Sequence, residues 1–408
     1  MTWPTVPLGE ISTIYDGPHA TPVKCAEGPW FLSISSLENG RLKLSESAHL
    51  SEHDFVQWTR RVTPEQGDLL FSYETKLGAA ALMPANVQAC LGRRMGLLRP
   101  LRDKVVPEFL LYAYLGPDFQ AEIKARSIHG ATVDRIPLGS LGTWPISLPP
   151  LKDQKAIAEV LGALDVKIAA NERQLITLNE LCSAWHERII NLGDSDASTY
   201  TLAELAKRGF MTLGDGYRTK QSEHGEPGLP ILRVADVGHG AITPSFTHYV
   251  SNAYRGAMGP KVSQQGDVIL TTKGTVGRVA LIESGQPEFV YSPQVCYFRL
   301  AESSPVSPLF MLHWFQGKEF WSQAGGLKGQ TDMADYLSLR DIRALRITVP
   351  SPADISEFSR VCNPMQEQSE VARRENDTLT VLRDTLLPQL VTGKIRVKDA
   401  ERIVEDAA

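Results

Sequence analysis

Residues 152–192 read KDQKAIAEVLGALDVKIAANERQLITLNELCSAWHERIINL, and the organisation of the chain follows from them. The stretch comes after Pro149 and Pro150, has no proline of its own, and has Gly162 as its only glycine. Apolar or tolerated side chains recur at Ile157, Leu161, Leu164, Ile168, Asn171, Leu175, Leu178, Cys182, Trp185 and Ile189, in alternating steps of four and three. A mean step of about 3.5 residues is the period of a coiled-coil seam. About forty residues of helix extend roughly 60 Å, whereas a helix lying on one compact domain needs only three or four turns. The stretch therefore reads as a rod joining two bodies.

The sequence on either side of the rod repeats at a period of about 200 residues, a feature to seek before any finer reading. Phe31–Leu42 lies against Ile231–Ile242, each reading as strand, short turn, glycine, strand. Gln66-Gly67-Asp68-Leu69-Leu70 matches Gln265-Gly266-Asp267-Val268-Ile269, and Gly78 matches Gly277. Pro107 with Phe109-Leu110-Leu111 matches Pro308 with Phe310-Met311-Leu312, Gly130-Ala131-Thr132 matches Gly329-Gln330-Thr331, and Ile146-Ser147-Leu148-Pro149 matches Ile347-Thr348-Val349-Pro350. All six blocks keep their order, at offsets between 199 and 201. A second rod follows the second copy. A first helical piece over Ala353–Val361 is interrupted or restarted at Pro364, then Met365, Gln368, Ala372, Glu375, Leu379, Leu382 and Leu386 resume the four-three steps until Pro388 and Gly393 stop them.

The expected architecture is two α/β (α+β) globes, duplicated, joined by two long helices that form an antiparallel coiled coil with pseudo-two-fold symmetry. The segments are a first globe over 1–150, a first helical spacer over 151–195, a second globe over 196–350, a second spacer over 351–393 and a charged tail over 394–408 whose end reads as disordered. Helices are expected near Pro107–Leu115 and Pro308–Gly317.

Composition narrows the function. With 408 residues the chain exceeds one ordinary core, and 42% hydrophobic with 22% charged residues is globular. The five cysteines are dispersed, without a CxxC pair, which suits a reducing compartment. The opening MTWPTVPLGE does not read as a signal peptide, and no run of eighteen apolar residues occurs, so a cytoplasmic location is expected. The net charge of −5 resides in the rods: 153–193 carries four basic and six acidic residues, and 353–388 carries four basic and seven acidic ones. The globes are neutral in sum, with basic clusters at Arg93–Arg94 and Lys273–Arg278. Any binding of nucleic acid must rest on local contacts rather than on bulk charge.

Catalytic motifs are missing. No phosphate loop, dinucleotide fingerprint or Asn-Pro-Pro-aromatic tetrad occurs, and Lys273-Gly274-Thr275-Val276-Gly277 fits no phosphate loop. His129 lacks a counterpart, since the repeat places Lys328 there, and it reads as surface. Asp68 and Asp267 read as turn residues entering strands. Metal spacings are absent. Two similar globes on a rigid rod suit a divided target such as two half-sites on a duplex. Side chains able to contact DNA in the turn regions are Tyr73, Lys76, Arg93 and Arg94 in the first globe, and Arg233, Lys273, Thr275, Arg278, Gln294, Lys328 and Gln330 in the second. For each of them a structural role competes.

Several segments together resemble the specificity subunits of type I restriction-modification systems, and the resemblance covers essentially the whole chain. Trp3–Glu10 is similar to the family's opening. Gly67–Ser72 and Gly266–Thr271 are similar to its Gly-Asp-Ile-Leu strand. Ile146–Ala158, with Pro149-Pro150-Leu151 and Gln154, is similar to its junction into the first helical region. Glu375–Leu379 with Leu382–Ile395 resembles its closing helix, the most specific segment. The second junction departs from the pattern, reading Pro350-Ser351-Pro352-Ala353-Asp354-Ile355.

The resemblance implies a non-catalytic subunit with two target recognition domains, each reading half of an asymmetric bipartite DNA sequence. It implies that the helices set the gap and dock two modification (methyltransferase) subunits, with Ile157, Leu161, Leu164, Ile168, Leu175, Leu178, Trp185, Leu379, Leu382 and Leu386 as the coiled-coil and docking residues. It also implies a restriction (translocase/endonuclease) subunit. S-adenosylmethionine, ATP and Mg belong to these partners, and no cofactor to this chain. A scaffold that binds partners but reads nothing is the alternative, and an enzyme acting alone on nucleic acid is a third.

Overall fold

The computed structural model describes residues 3–18, 22–130, 133–192, 197–243, 245–325 and 336–407. The chain divides into two compact units, one of Met1–Ala170 with Glu375–Ala408 and one of Asn171–Arg374. The two boundaries fall inside the long helices, which span Leu151–Leu192 and Pro352–Val391.

In the first unit a four-stranded antiparallel sheet has the spatial order Ser12–Asp16, Met95–Pro100, Leu69–Ser72, Ala80–Leu82. A three-stranded sheet combines Ala48–His49, Cys25–Phe31 and Ala89–Cys90, and Thr5–Pro7 pairs with Pro145–Ser147. The second unit repeats this plan. Its four-stranded sheet has the order Met211–Asp215, Val295–Leu300, Val268–Thr271, Val279–Leu281. Its three-stranded sheet combines Tyr249–Ser251, Gly228–Leu232 and Val290–Tyr291, and Ser198–Thr201 pairs with Arg346–Val349. The α/β duplication expected from the 200-residue repeat is therefore a duplication of topology. The central strands Leu69–Ser72 and Val268–Thr271 are buried at every residue, as strands covered on both faces must be. Each sheet is backed by a proline-initiated helix, Pro107–Leu115 or Pro308–Gln316.

Each unit holds parts of both long helices. In the first, Ile157, Leu161 and Leu164 share a core with Leu386 and Leu390. Asp165 Oδ1 lies 3.1 Å from Arg383 Nη1, and Lys167 Nζ 3.1 Å from Glu375 Oε2, so rising numbers on one helix meet falling numbers on the other: they run antiparallel. In the second unit Cys182 and Ile189 share a core with Phe358 and Cys362.

Two corrections concern the second helix. Pro364 was expected to interrupt it and Pro388 to stop it, yet the helix is continuous to Val391, with Gly393 at φ 73° just beyond. A helical proline loses one N–H bond to the carbonyl four residues earlier. Pro364 stands on the exposed face, where the freed carbonyl meets solvent, while burial of Phe358, Cys362 and Ser369 holds the opposite face. Beyond Pro388, buried Leu390 and Val391 carry the last turn, and Thr392 Oγ1 donates to the Pro388 carbonyl at 2.6 Å. The tail is also more ordered than expected. Val397–Ala407 is a helix whose Ala400 is fully buried in the first unit's core, with Val397 and Val404 packed beside it.

The two junctions start their helices differently. Gln154 is buried, accepts from Val106 N at 2.8 Å and donates to the Pro149 and Lys104 carbonyls. Ser351 instead accepts from Asp354 N at 3.2 Å, an ordinary N-cap.

Candidate nucleic-acid interface

Each unit is tied by a buried carboxylate at the turn into its central strand. Asp68 accepts from Glu65 N at 2.8 Å, which is the turn role expected of it, and also takes two hydrogen bonds from Arg99, at 3.1 and 2.8 Å. Asp267 accepts from Gln264 N at 2.9 Å and takes two from Arg299, both at 2.7 Å. The arginines close the clamp onto the Thr63 and Val262 carbonyls. Such fork-to-fork pairs fix geometry as well as charge. The second clamp is drier. Asp267 is fully buried and also accepts from Tyr291 Oη at 2.6 Å; burial, reinforced by the carboxylate, pushes the Tyr291 hydroxyl far above the usual tyrosine range. The sequence reading missed the arginines, although Arg99 and Arg299 stand at the same 200-residue offset as the rest of the repeat.

Just past the central strands the chain forms a corner in each unit, built on the same backbone bonds. Tyr73 N donates to the Arg94 carbonyl at 3.1 Å, and Ile136 N to the Tyr73 carbonyl at 2.8 Å. In the second unit Thr272 N donates to the Gln294 carbonyl at 2.8 Å, and Leu337 N to the Thr272 carbonyl at 2.9 Å. Single bridges continue the pairing, Glu74 with Arg135 and Lys273 with Tyr336. On this shared frame the side chains differ. In the first corner Arg94 Nε lies 3.0 Å from Glu74 Oε2 and its Nη1 donates to Thr75 Oγ1 at 3.2 Å. In the second the Lys273 ammonium lies 5.9 Å from the centre of the Tyr336 ring.

Beside each corner, at the end of the sheet's first strand, lies a cleft. The first, about 440 Å³, is lined by Asp16, Gly17, Trp58, Arg60 and Arg61 among others. The second, about 510 Å³, is lined by Tyr217, Arg218, His224, Arg233 and Gln294 among others. The strand ends correspond. A Cβ on Gly17 would come within 2.7 Å of the Met95 carbonyl oxygen, and one on Gly216 within 2.1 Å of that of Ser292, so both positions need glycine. The adjoining aspartates each hold a cation, Asp16 with Arg61 at 2.8 Å and Asp215 with Lys261 at 3.4 Å. Among the described residues no group of three His, Cys, Asp or Glu is placed to hold a metal ion, and no helix is long and apolar enough to cross a membrane.

Residues 2–180 match the model of the type I restriction modification DNA specificity domain. The chain is 22% identical over 270 residues to the MjaVIII specificity subunit of Methanocaldococcus jannaschii, which covers 62% of this chain and 63% of that protein. It is 21% identical over 386 residues to the EcoKI specificity subunit of Escherichia coli K12, covering 90% of this chain and 79% of that one. The alignment thus spans under two thirds of the first relative and about four fifths of the second. The chain is similar to type I specificity subunits over most of its length. A solved S subunit from M. genitalium shares its fold, with a TM-score of 0.60 at 17% identity over 95% of this chain and 96% of that one.

The expected contact residues fall into three groups. Arg93, Arg233, Lys273, Thr275 and Gln294 are exposed, and Arg233 and Gln294 both line the second cleft. Tyr73, Lys76, Arg94 and Arg278 carry structural bonds. Tyr73 is buried, and that burial raises its hydroxyl pKa. Lys76 donates to the Leu37 carbonyl at 2.5 Å and Arg278 to that of Val237 at 3.2 Å, while Arg94 pairs with Glu74. Lys328 and Gln330 lie outside the described residues, as does most of the repeat block around them. Residues that sequence reading missed are Arg135 and Tyr336, both exposed at the corners, and Arg60, Arg61 and Arg218 in the clefts. Only an element-by-element alignment of the two copies would have singled out Arg135 and Tyr336.

The expected seam residues Ile157, Leu161, Leu164, Ile168 and Leu386 are buried, while Leu175, Leu178, Trp185, Leu379 and Leu382 are half-buried. In the second unit His186 goes deeper than its neighbour Trp185, between Phe310 and Phe358. His129 is exposed and lies 3.0 Å from Asp134.

Proposed function

We propose that this chain reads DNA for a type I restriction-modification complex, each globular unit recognising one half of a bipartite, asymmetric target. The observation that carries the reading is the pair of units with one strand order and one set of corner bonds but different side chains at the corners and clefts. That is what two readers of different half-sites require, because specificity resides in base-edge contacts while the frame only positions them. The long helices set the gap between half-sites and dock two methyltransferase subunits. Their charge, −2 over 153–193 and −3 over 353–388, suits protein docking better than contact with phosphates. The chain itself is non-catalytic and acts in the cytoplasm. Adenine methylation with S-adenosylmethionine, and cleavage with ATP and Mg, belong to the modification and restriction subunits.

The test maps genome-wide adenine methylation in cells carrying this chain with its methyltransferase, before and after Thr201–Thr348 is exchanged for another family member's second globe. One half of a gapped motif should change and the other persist. A motif indifferent to the exchange would make the chain a scaffold. Methylation or cleavage by the purified chain alone would make it an enzyme.

A further inference from the structure

The two corners share one more property. Among the large hydrophobic side chains of the described residues that stand exposed, Tyr336 is the only aromatic, at 50%, and Ile128 is 46% exposed. Both sit at the corners. Ile128 exchanges two backbone bonds with Arg135, at 2.9 and 3.1 Å, and Arg135 is in turn bridged to Glu74. Tyr336 is bridged to Lys273, with the ammonium facing its ring. Each corner thus exposes an apolar side chain, pinned by backbone pairing beside an exposed cation. Exposure of a lone apolar residue needs no explanation. An apolar side chain beside an exposed cation at both corners, although set on different backbone positions (Arg135 answers to Tyr336, and Glu74 to Lys273), does call for one.

We infer that Ile128 with Arg135, and Tyr336 with Lys273, are the specificity-determining pairs of the first and second units, contacting base edges of duplex DNA. This rests on the DNA-reading function proposed above. An arginine can take the two acceptors of guanine in the major groove, and an aliphatic side chain can pack on a thymine methyl. The second pair offers a point charge and a flat ring instead, so the two half-sites should differ in base composition. Backbone pairing of both members lowers the entropy cost of presenting them. The neighbouring cations do other work: Arg94 is engaged by Glu74, and Arg278 by a backbone carbonyl.

The experiment uses the complete methyltransferase complex and a randomised duplex library around its motif, with melting temperature and subunit co-purification as controls for folding. Arg135→Ala and Ile128→Ala should each lower affinity for the preferred first half-site about tenfold, in keeping with a single base contact. They should relax one or two positions there and leave the second half untouched. Lys273→Ala and Tyr336→Ala should do the same to the second half only, with Tyr336→Phe close to the parent. A loss uniform across all sequences, with the motif intact, would reduce the pairs to backbone contacts and overturn the inference. So would unchanged selection by all four variants. If the unmutated complex itself selects no gapped motif, the DNA-reading function fails first, and the variants would not be what decided it.

Discussion

The two units hold the same pair of helices in different ways. In the first, the helices meet through Ile157, Leu161, Leu164, Leu386 and Leu390, with Asp165 as a hub that takes Arg383 at 3.1 Å and Tyr112 Oη at 2.7 Å. In the second, the facing residues are Cys182, His186, Phe358, Cys362 and Met365. Cys182 Sγ lies 3.7 Å from Met365 Sδ, and Ser183 Oγ 3.1 Å from His313 Nδ1. The first is an aliphatic seam with an ionic latch at its edge, the second a soft, polarisable core with titratable rings inside it. A duplicated backbone therefore tolerates quite different side-chain chemistry, including in the second unit a buried His186 Nε2 that makes no hydrogen bond.

The largest effect that could break the comparison is loss of a clamp. Asp267→Ala leaves Tyr291 without its acceptor and Arg299 with only the Val262 carbonyl, and should cost about 3–5 kcal/mol, read as a lowered urea midpoint. Asp68→Ala should cost less, since Arg99 keeps Glu65 at 3.2 Å and position 91, the counterpart of Tyr291, is a leucine. Equal losses would mean that the two clamps are energetically alike. Next comes the aliphatic seam. Leu161 is fully buried, so Leu161→Ala should destabilise by about 2–5 kcal/mol. A loss well under 1 kcal/mol would show that the first unit's seam is not close-packed.

The soft core should reveal itself through pH. Burial, with a smaller contribution from His313, lowers the His186 pKa to about 3, so the folded chain keeps this ring neutral where the unfolded chain takes up a proton near pH 6.5. Its contribution is complete above that pH and drains away as pH falls through the interval down to about 3. Between pH 6.5 and 5 the loss should reach about 2 kcal/mol, and His186→Phe should flatten that segment of the profile. An unchanged slope in the variant would move the proton uptake to another group. The smallest effect belongs to the latch. Tyr112→Phe removes one donor from Asp165 and leaves Arg383 in place, so about 1.5 kcal/mol is expected, confined to denaturation and without change in methylation motif.

Much of this was open to sequence reading because it depends on period. Heptad steps marked Leu161 and Leu164, and collinear offsets marked the paired strands, since glycine turns such as Gly67 and Gly266, at φ 86° and 84°, recur wherever the backbone must turn left-handed. What escaped is chemistry without period. The partners of Asp68 and Asp267 stand about thirty residues away on a neighbouring strand. His186 lies one residue off the expected seam position, and its burial is decided by Phe310 and Phe358. Proline rules failed at Pro364 because they weigh the lost backbone bond and not the core on the helix's other side. At the corners, a single bridge chooses which loop residue stands beside a strand end, so Arg135 and Tyr336 carried no local mark.

The placement of the unit boundaries within the helices has a consequence for inheritance. The second unit is one uninterrupted stretch, Asn171–Arg374, while the first is assembled from both ends of the chain. A single recombination tract with crossovers inside the two helix-coding segments would deliver a foreign second unit together with the halves of both helices that fit it. Every contact of its inner core would arrive intact, and only heptad phase would have to agree at the two crossover points. A new half-site could then be acquired in one genetic step, without any adaptation of the half already in use.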